Sequence, residues 1–437
     1  MVNMSYGLEA ELHTRQWDAV IIGGGIAGLT AAIYLARANR SVLLLEKNES
    51  PGGRAGTTRL ADAWVNLGAH ALNKSVLPIL REVGVKVSGS VPGLPDTFLF
   101  QEPDGSLQGV SLSSLLLGSF LAWSEKRQLI RFLVSLRRAV PARLHEQSFE
   151  DYLVSMFPAS TRVRSIVLAL VRLGTYCDAP DRLSAGAVME QLKLSQVLYI
   201  DGGWKSIVRQ LTKQAEQAGV TLVTKAAVQR IAGSYPDMTV TLKGERQISA
   251  RCVLSTAGPS AMLNWLDPAL PAREAEIYKR LLPVHAACMD LVLAGAPSPE
   301  TKFVLGCNTP WYYSNHSTAA KLSEQTEHAV VHVMKYLPII SRTDAKEDQL
   351  ELERFLDGIQ PGWRESVLER RFLPRMLVSH AAVTADNGGL AGRPGTEVPS
   401  RPGLYIAGDW VGPEGMLVHT SLASARAAAQ LMIERLK

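Results

Sequence analysis

Three glycines, Gly23, Gly25 and Gly28, stand between an apolar run and a helix-forming segment, and this arrangement constrains the chain more than any other feature in it. Ala19-Val20-Ile21-Ile22 is a short apolar run of the kind found in a strand covered on both faces. Leu29 to Arg37 reads as a helix, with Ala31, Ala32, Leu35 and Ala36 small or apolar enough to pack on a sheet. Ser41 to Leu45 reads as a second buried strand, and Glu46 closes it 18 residues after Gly28. In a G-x-G-x-x-G at such a turn, Gly23 permits the tight bend and Gly25 lets the backbone approach a pyrophosphate. Gly28 lets helix and strand pack closely, and the helix N-terminus faces the anion, with Ile26 and Ala27 in the turn as further candidate contacts. Glu46, next to Lys47, is placed to accept hydrogen bonds from ribose hydroxyls, and its charge disfavours a 2′-phosphate. The residues therefore predict a dinucleotide site.

Pro51-Gly52-Gly53-Arg54 follows closely. Its glycines expose backbone N–H groups, and Arg54 adds a cationic fork suited to phosphate. The stretch from Ala19 to Thr57 resembles the N-terminal FAD signature of the amine oxidase, protoporphyrinogen oxidase and phytoene desaturase superfamily. The resemblance implies an α/β fold: a Rossmann-type FAD-binding domain of the GR2 kind, with a parallel sheet, and a discontinuous α+β substrate domain. It also implies that the segment holding Gly68 and Ala69 passes the flavin ring by its backbone, with His70 a catalytic candidate beside it.

The rest of the chain divides accordingly. At 437 residues it is long enough for two domains. The net charge of +5 without a long basic run speaks against nucleic acid as a partner. Cys177, Cys252, Cys288 and Cys307 show no C-x-x-C spacing, which favours a reducing cytoplasm. Met1 to Trp17 reads as neither signal peptide nor anchor, and no apolar run reaches the roughly 18 residues needed to span a bilayer. The expected layout is an FAD-binding domain in three parts, 15–75, 200–265 and 376–437, and a substrate domain in two, 76–199 and 266–375.

Within the substrate regions, Ser124 to Arg143 is predicted to be an amphipathic helix. Leu129, Phe132, Leu133, Leu136 and Val140 fall on one face, with Arg127, Arg131 and Arg138 opposite. A basic amphipathic helix beside the apolar stretch Leu112 to Trp123 is compatible with docking on the inner face of an anionic membrane; an ordinary helix covering a core is the plainer reading. Gly174-Thr175-Tyr176-Cys177 is a candidate cavity wall, with Tyr176 a further catalytic candidate. His328 and His332 are four apart but lack an H-E-x-x-H, and Ala329 to Tyr336 reads as a strand, so no metal site is expected.

The superfamily pattern returns at Tyr199 to Trp204 and runs through a helix from Ile207 to Ala218 and strands at Val220 to Thr224, Met238 to Leu242 and Arg251 to Ser255. By position it assigns the adenine contact to the backbone of Val228 and a diphosphate turn to Thr256 and Ala257. Leu404-Tyr405-Ile406-Ala407-Gly408-Asp409 is its second strong signature. Asp409 is assigned to the ribityl chain, with Gly408 giving close approach. Met416, Leu417 and Val418 lead into an alanine-rich helix, expected from about Ser421, whose N-terminus faces the flavin N1/C2=O edge. His419 stands in this stretch, where the family often has glycine, and is the third catalytic candidate.

The resemblance implies FAD and hydride transfer from a substrate to flavin N5, with oxygen, a quinone or another acceptor for reoxidation. No second G-x-G-x-x-G predicts a separate NAD(P)H domain. The position of an amine-framing aromatic reads Met416 or Leu417, and no C-terminal cysteine is present to link the flavin. The Pro51 to Thr57 segment and the apolar substrate region look more like those of phytoene desaturases and related carotenoid or lipid enzymes, so the resemblance implies a desaturase-type enzyme acting on a small apolar, isoprenoid- or lipid-like substrate. Alternatives are an amine or protoporphyrinogen-type oxidase, a redox-neutral isomerase, and a non-catalytic lipid-binding chaperone of the same architecture. The oligomeric state is not legible.

Overall fold

The computed structural model describes residues 14–68, 70–138, 140–158, 160–194 and 196–437. Parallel strands make the centre of the first sheet, in the spatial order Thr221–Val223, Val42–Leu45, Gln16–Ile22, Gln247–Ser255 and Leu404–Ile406. Leu404–Ile406 pairs with the C-terminal end of Gln247–Ser255, while Asp237–Leu242 and Val228–Ser234 extend the sheet antiparallel from its other end. Successive strand residues point to opposite faces. Ala19, Ile21, Val42 and Leu44 enter one core, under the helices Ile26–Arg37, Lys205–Gln217 and Val418–Arg435; Val20, Ile22, Leu43 and Leu45 enter a second, with Trp410. Both faces are thus covered, which is why these strands read as unbroken apolar runs.

Close packing follows from small residues. A Cβ at Gly28 would collide with the carbonyl of Gly23, so only glycine lets the helix sit this near the strand. Ala31 and Ala32 of that helix share a core with Ala425, Ala428 and Ala429 of the last helix.

The second sheet runs Val367–Ser379, Val284–Leu293, Ala329–Tyr336, Trp311–Asn315, Phe303–Gly306, Thr97–Gln101 and Leu107–Ser111. All its pairs are antiparallel except Phe303–Gly306 with Thr97–Gln101. One face packs on the helices Trp123–Arg138, Phe149–Met156, Thr161–Thr175 and Ala185–Lys193. The other packs on Ala345–Ile359.

Several expected boundaries move. The helix expected over Ser124 to Arg143 spans Trp123–Arg138, and Pro141 opens a separate 3-10 turn, Pro141–Leu144. A proline disfavours helical backbone in the residue before it, so the periodic pattern could not carry the helix on. Only Leu129 and Phe132 of its expected apolar face are fully buried; Leu133 and Val140 are exposed. The last helix begins at Val418, earlier than Ser421, and the Lys205–Gln217 helix begins before Ile207.

Candidate active site

The two ends of the chain meet at an ion pair. Arg54 sits in the 3-10 turn Gly53–Ala55, and Asp409 follows the strand Leu404–Ile406. The Arg54 fork donates to both Asp409 oxygens, at 2.7 and 2.8 Å, across 355 residues of sequence, and to the Val378 carbonyl at 2.9 Å. The His380 N–H donates to the same carboxylate at 2.9 Å, and the His380 ring lies within 3.1 Å of Arg54 and 3.0 Å of Asp409. Burial works to raise the Asp409 pKa, but Arg54 and His380 hold it well below the usual carboxylate range.

Around this pair the turn residues assemble. Gly25 forms a bridge to Gly52, and Gly53 lies against Gly25. Gly68 packs on the Arg54 carbonyl. Thr256 donates its hydroxyl to the carbonyls of Ile22 (2.9 Å) and Gly23 (3.2 Å), with Ala257 next in the same turn. Glu46 is buried and accepts from the Gly24 N–H at 2.7 Å and the Asn48 N–H at 2.9 Å. The N–H of Ala226 reaches the Glu46 carbonyl, which brings the Val228 strand end alongside. Lys47 is exposed, and Ala69 lies outside the described residues.

The fit to a dinucleotide rests on what these elements leave open. The Ile26–Arg37 helix, whose first turn holds Ile26 and Ala27, starts at Gly25 with no side-chain cap, and a Cβ built at Gly25 meets nothing within 4 Å. The Val418–Arg435 helix likewise starts without a side-chain cap, at Leu417 with φ of 56°. A left-handed, non-glycine residue at such a point is strain that only the surrounding packing holds in place. Gly408, with φ of 153°, turns the chain so that Asp409 faces inward. Two uncapped N-termini and an open backbone turn match an extended, anionic group such as a dinucleotide.

A small cavity of about 10 Å³ lies beside Asp409. Its walls are Thr175, Cys177, Leu183, Val284, Ser379, Ala381, Ala382, Val383, Arg393, Met416 and Leu417. Arg393 is buried, donates to the Thr420 hydroxyl at 3.1 Å and the Gly415 carbonyl at 2.8 Å, and keeps a buried Nε without a partner among the described residues. Burial pushes its pKa down to about 10, against the pull of Asp409 and Glu190. Nothing in the local sequence singled it out; an arginine in a Gly/Pro-rich loop has no periodicity to read.

The catalytic candidates fall in different places. His419 is tied by Nδ1 to the Ser75 hydroxyl (3.0 Å) and by Nε2 to Glu414 (3.2 Å), and does not line the cleft. Thr175 and Cys177 reach the cleft, but Tyr176 caps its helix in a left-handed conformation (φ 58°) with its ring 6.4 Å from Tyr336. Burial, with Tyr199 and Cys288 nearby, raises the Tyr176 hydroxyl pKa.

His70 enters a buried cluster that the sequence did not reveal. Its ring stacks on His332 at 3.5 Å and lies 5.1 Å from His316. His332 bonds Asp290 through Nδ1 at 2.7 Å, and Arg371 holds the other Asp290 oxygen at 2.5 Å while also donating to the Asn66 carbonyl. Tyr199 bonds Tyr312 and Ser314, both at 3.0 Å, beside them. Burial, then the neighbouring His332, His316 and Arg371, push the His70 pKa well below normal; burial and His332 push His316 to about 3. His70 Nδ1, His316 Nε2 and His332 Nε2 are buried without partners among the described residues.

His70, Asp290 and His332 hold ligand-type atoms within 4.8 Å of one another. Stacked imidazoles direct their in-plane lone pairs side by side rather than at one point, however, and Arg371 already neutralises Asp290. The geometry is that of stacked imidazoles, with His332 oriented by the Asp290 carboxylate.

The family described as flavin containing amine oxidoreductase matches residues 26–287. A Mycobacterium tuberculosis protein named as a flavin-containing monoamine oxidase, AofH, is 25% identical over 285 residues, which is 58% of this chain and 60% of that one. A carotenoid 3,4-desaturase from Haloarcula japonica is 63% identical over 38 residues, 9% of this chain and 8% of that one. The chain thus matches no more than 60% of the length of either relative. An oxidoreductase structure from Methanosarcina mazei covers 94% of this chain and 99% of its own at 20% identity, with a TM-score of 0.75, so the two share a fold. The chain belongs to the flavin-containing amine oxidoreductase family.

Proposed function

We propose that this enzyme dehydrogenates an apolar substrate of isoprenoid or lipid-like character, in the manner of a desaturase. The observation that carries this reading is the wall of the cleft. Cys177, Leu183, Val284, Ala381, Ala382, Val383, Met416 and Leu417 are apolar, no lining residue is aromatic, and the lining carboxylate, Asp409, is bound by Arg54 and His380. A pocket of this kind gives an ammonium group no counter-charge and rewards burial of hydrocarbon. The same apolar residues continue into the core between the helices and the second sheet, which includes Cys177, Leu183, Val284 and Ala382.

When bound, FAD supplies the hydride-accepting chemistry. The chain supplies position and electrostatics. Gly23, Gly25, Gly28, Gly53 and Thr256 shape the backbone cradle for the diphosphate, and Glu46 receives the ribose hydroxyls. Val228 offers backbone to the adenine, and Asp409 is set toward the ribityl chain. Gly68, Met416, Leu417 and Val418 approach the ring by their backbones. Arg393, anchored at the start of the last helix, would supply positive charge to an anionic group bound there. Electrons leave to oxygen, a quinone or another acceptor.

A second reading, an amine or porphyrinogen-type oxidase, is favoured by the tyrosine and histidine cluster of Tyr199, Tyr312, His316 and His332, and by the likeness to a monoamine oxidase. The deciding experiment is anaerobic addition of candidate polyenes and amines to the purified flavoprotein. Bleaching of the flavin bands by a polyene is the expected result. Bleaching by an amine alone replaces this reading with the oxidase, and conversion of a polyene without bleaching replaces it with isomerisation. Polyene binding without any turnover returns the lipid-binding chaperone.

A further inference from the structure

We propose that the Trp123–Arg138 helix and the end of the helix before it form a docking surface for an anionic lipid bilayer. The helix has two apolar stripes rather than one. Leu129 and Phe132 face the core, whereas Trp123, Ile130 and Val134 are exposed, Trp123 at 71%. These three stand at i, i+7 and i+11, so they share the face opposite Phe132. Leu116 and Leu117, at the end of the Leu112–Leu117 helix, are exposed as well, Leu117 at 86%. Lys126 donates to the Gly118 carbonyl at 2.6 Å and so holds that helix end against the first turn of Trp123–Arg138. The two sets of apolar side chains therefore belong to one surface. An exposed patch of this kind on a chain with a large core of its own calls for a partner.

The charge around the patch identifies the partner. By the same helical spacing, Arg127, Arg131 and Arg138 flank the outer stripe on one side and Arg137 on the other. All four are exposed, and none makes an ion pair among the described residues. The acid of this helix, Glu125, is turned away from them, accepting from the Ala122 N–H at 2.9 Å and the Ser160 hydroxyl at 2.8 Å. Arg162 adds another cation nearby, stacked over Phe120 and donating to its carbonyl. An apolar ridge with a tryptophan at one end, bordered by unneutralised arginines, fits the boundary between acyl chains and anionic headgroups. The helix lies in that plane, since no described helix is long and apolar enough to cross a membrane.

The inner side of this helix, Leu129 and Phe132, belongs to the same apolar core as Cys177, Leu183 and Val284 of the cleft wall. Docking would thus set the membrane against the helix that backs this core.

The test uses the flavin-loaded protein in sucrose-gradient flotation with phosphatidylcholine vesicles, with and without phosphatidylglycerol. The expected result is flotation with the phosphatidylglycerol vesicles, lost in high salt. The R127E/R131E/R138E variant is expected to bind about a hundredfold more weakly, from the usual contribution of a basic residue near an anionic surface. A W123S/I130S variant should float less than wild type with the phosphatidylglycerol vesicles. All five positions are exposed, so retained flavin absorbance verifies the fold of each variant. Wild-type protein that stays unbound with phosphatidylglycerol vesicles overturns the proposal. So does equal flotation of wild type and the triple glutamate variant, or a dimer in solution that W123S/I130S dissociates while no vesicle binding occurs. None of these outcomes depends on the substrate, so a failure here leaves the reading of the cleft standing.

Discussion

Replacing Arg54 with Met leaves the Asp409 carboxylate buried, with His380 bonded to it and Arg393 acting on it only through space. The two partners are unequally placed: the Asp409 side chain is 3% exposed and that of Arg54 is 38% exposed. Removing the cation strands an anion that water cannot reach, which costs about 3 kcal/mol even with the His380 bonds retained. Removing the anion instead, as Asp409→Asn, leaves a guanidinium that can rehydrate, at a cost of about 1 kcal/mol. The combined change Arg54→Met with Asp409→Leu removes both charges and should recover most of the loss. Urea unfolding of flavin-free protein, followed by tryptophan fluorescence, measures all three without interference from cofactor binding. The expected order of loss is Arg54→Met, then Asp409→Asn. An Arg54→Met variant within about 1 kcal/mol of wild type, or an Asp409→Asn variant that loses more, would refute the reasoning.

Other outcomes follow from neighbouring groups. Glu46→Ala should weaken FAD retention about tenfold or more, read as flavin occupancy after gel filtration; full occupancy would remove Glu46 from the ribose site. Arg393→Met should weaken the anionic N5–sulfite adduct of the oxidised flavin about tenfold, because the adduct's charge loses a buried cation; an unchanged spectrophotometric sulfite titration counts against its placement. The His316 pKa is lowered to about 3 in the fold, so between there and about 6.5 the unfolded chain binds the extra proton. Stability is therefore fully present above about pH 6.5 and declines as the pH falls. His316→Gln should flatten that decline by up to about 1.4 kcal/mol per pH unit, and an identical slope in wild type and variant would place His316 elsewhere.

How far the sequence could be read depended on the range of the interactions. The first strand, its helix and Glu46 lie within 31 residues, so glycine spacing and apolar runs sufficed to read them. The last signature was legible for the same reason. The pairing of Arg54 with Asp409 was not, since each residue had been assigned to a different part of the cofactor. The histidine cluster needs strands 42 residues apart for its His332–Asp290 bond, and Asp290 sits in a run that otherwise reads as plain apolar strand. Periodicity located the inner face of the Trp123–Arg138 helix through Leu129 and Phe132. It missed the outer stripe because Trp123, Ile130 and Val134 are diluted among arginines, and it overran the end because the restraint came from Pro141.

The closing of the first sheet by Leu404–Ile406 also fixes an order of events during synthesis. Until that strand leaves the ribosome, the C-terminal end of Gln247–Ser255 is an open parallel edge and Arg54 has no anion. Neither the Asp409 turn nor the start of the last helix yet exists. At roughly 5–20 residues per second, this state lasts for much of the time the chain takes to be made. A chain that has not yet made this strand is therefore one that carries an exposed sheet edge.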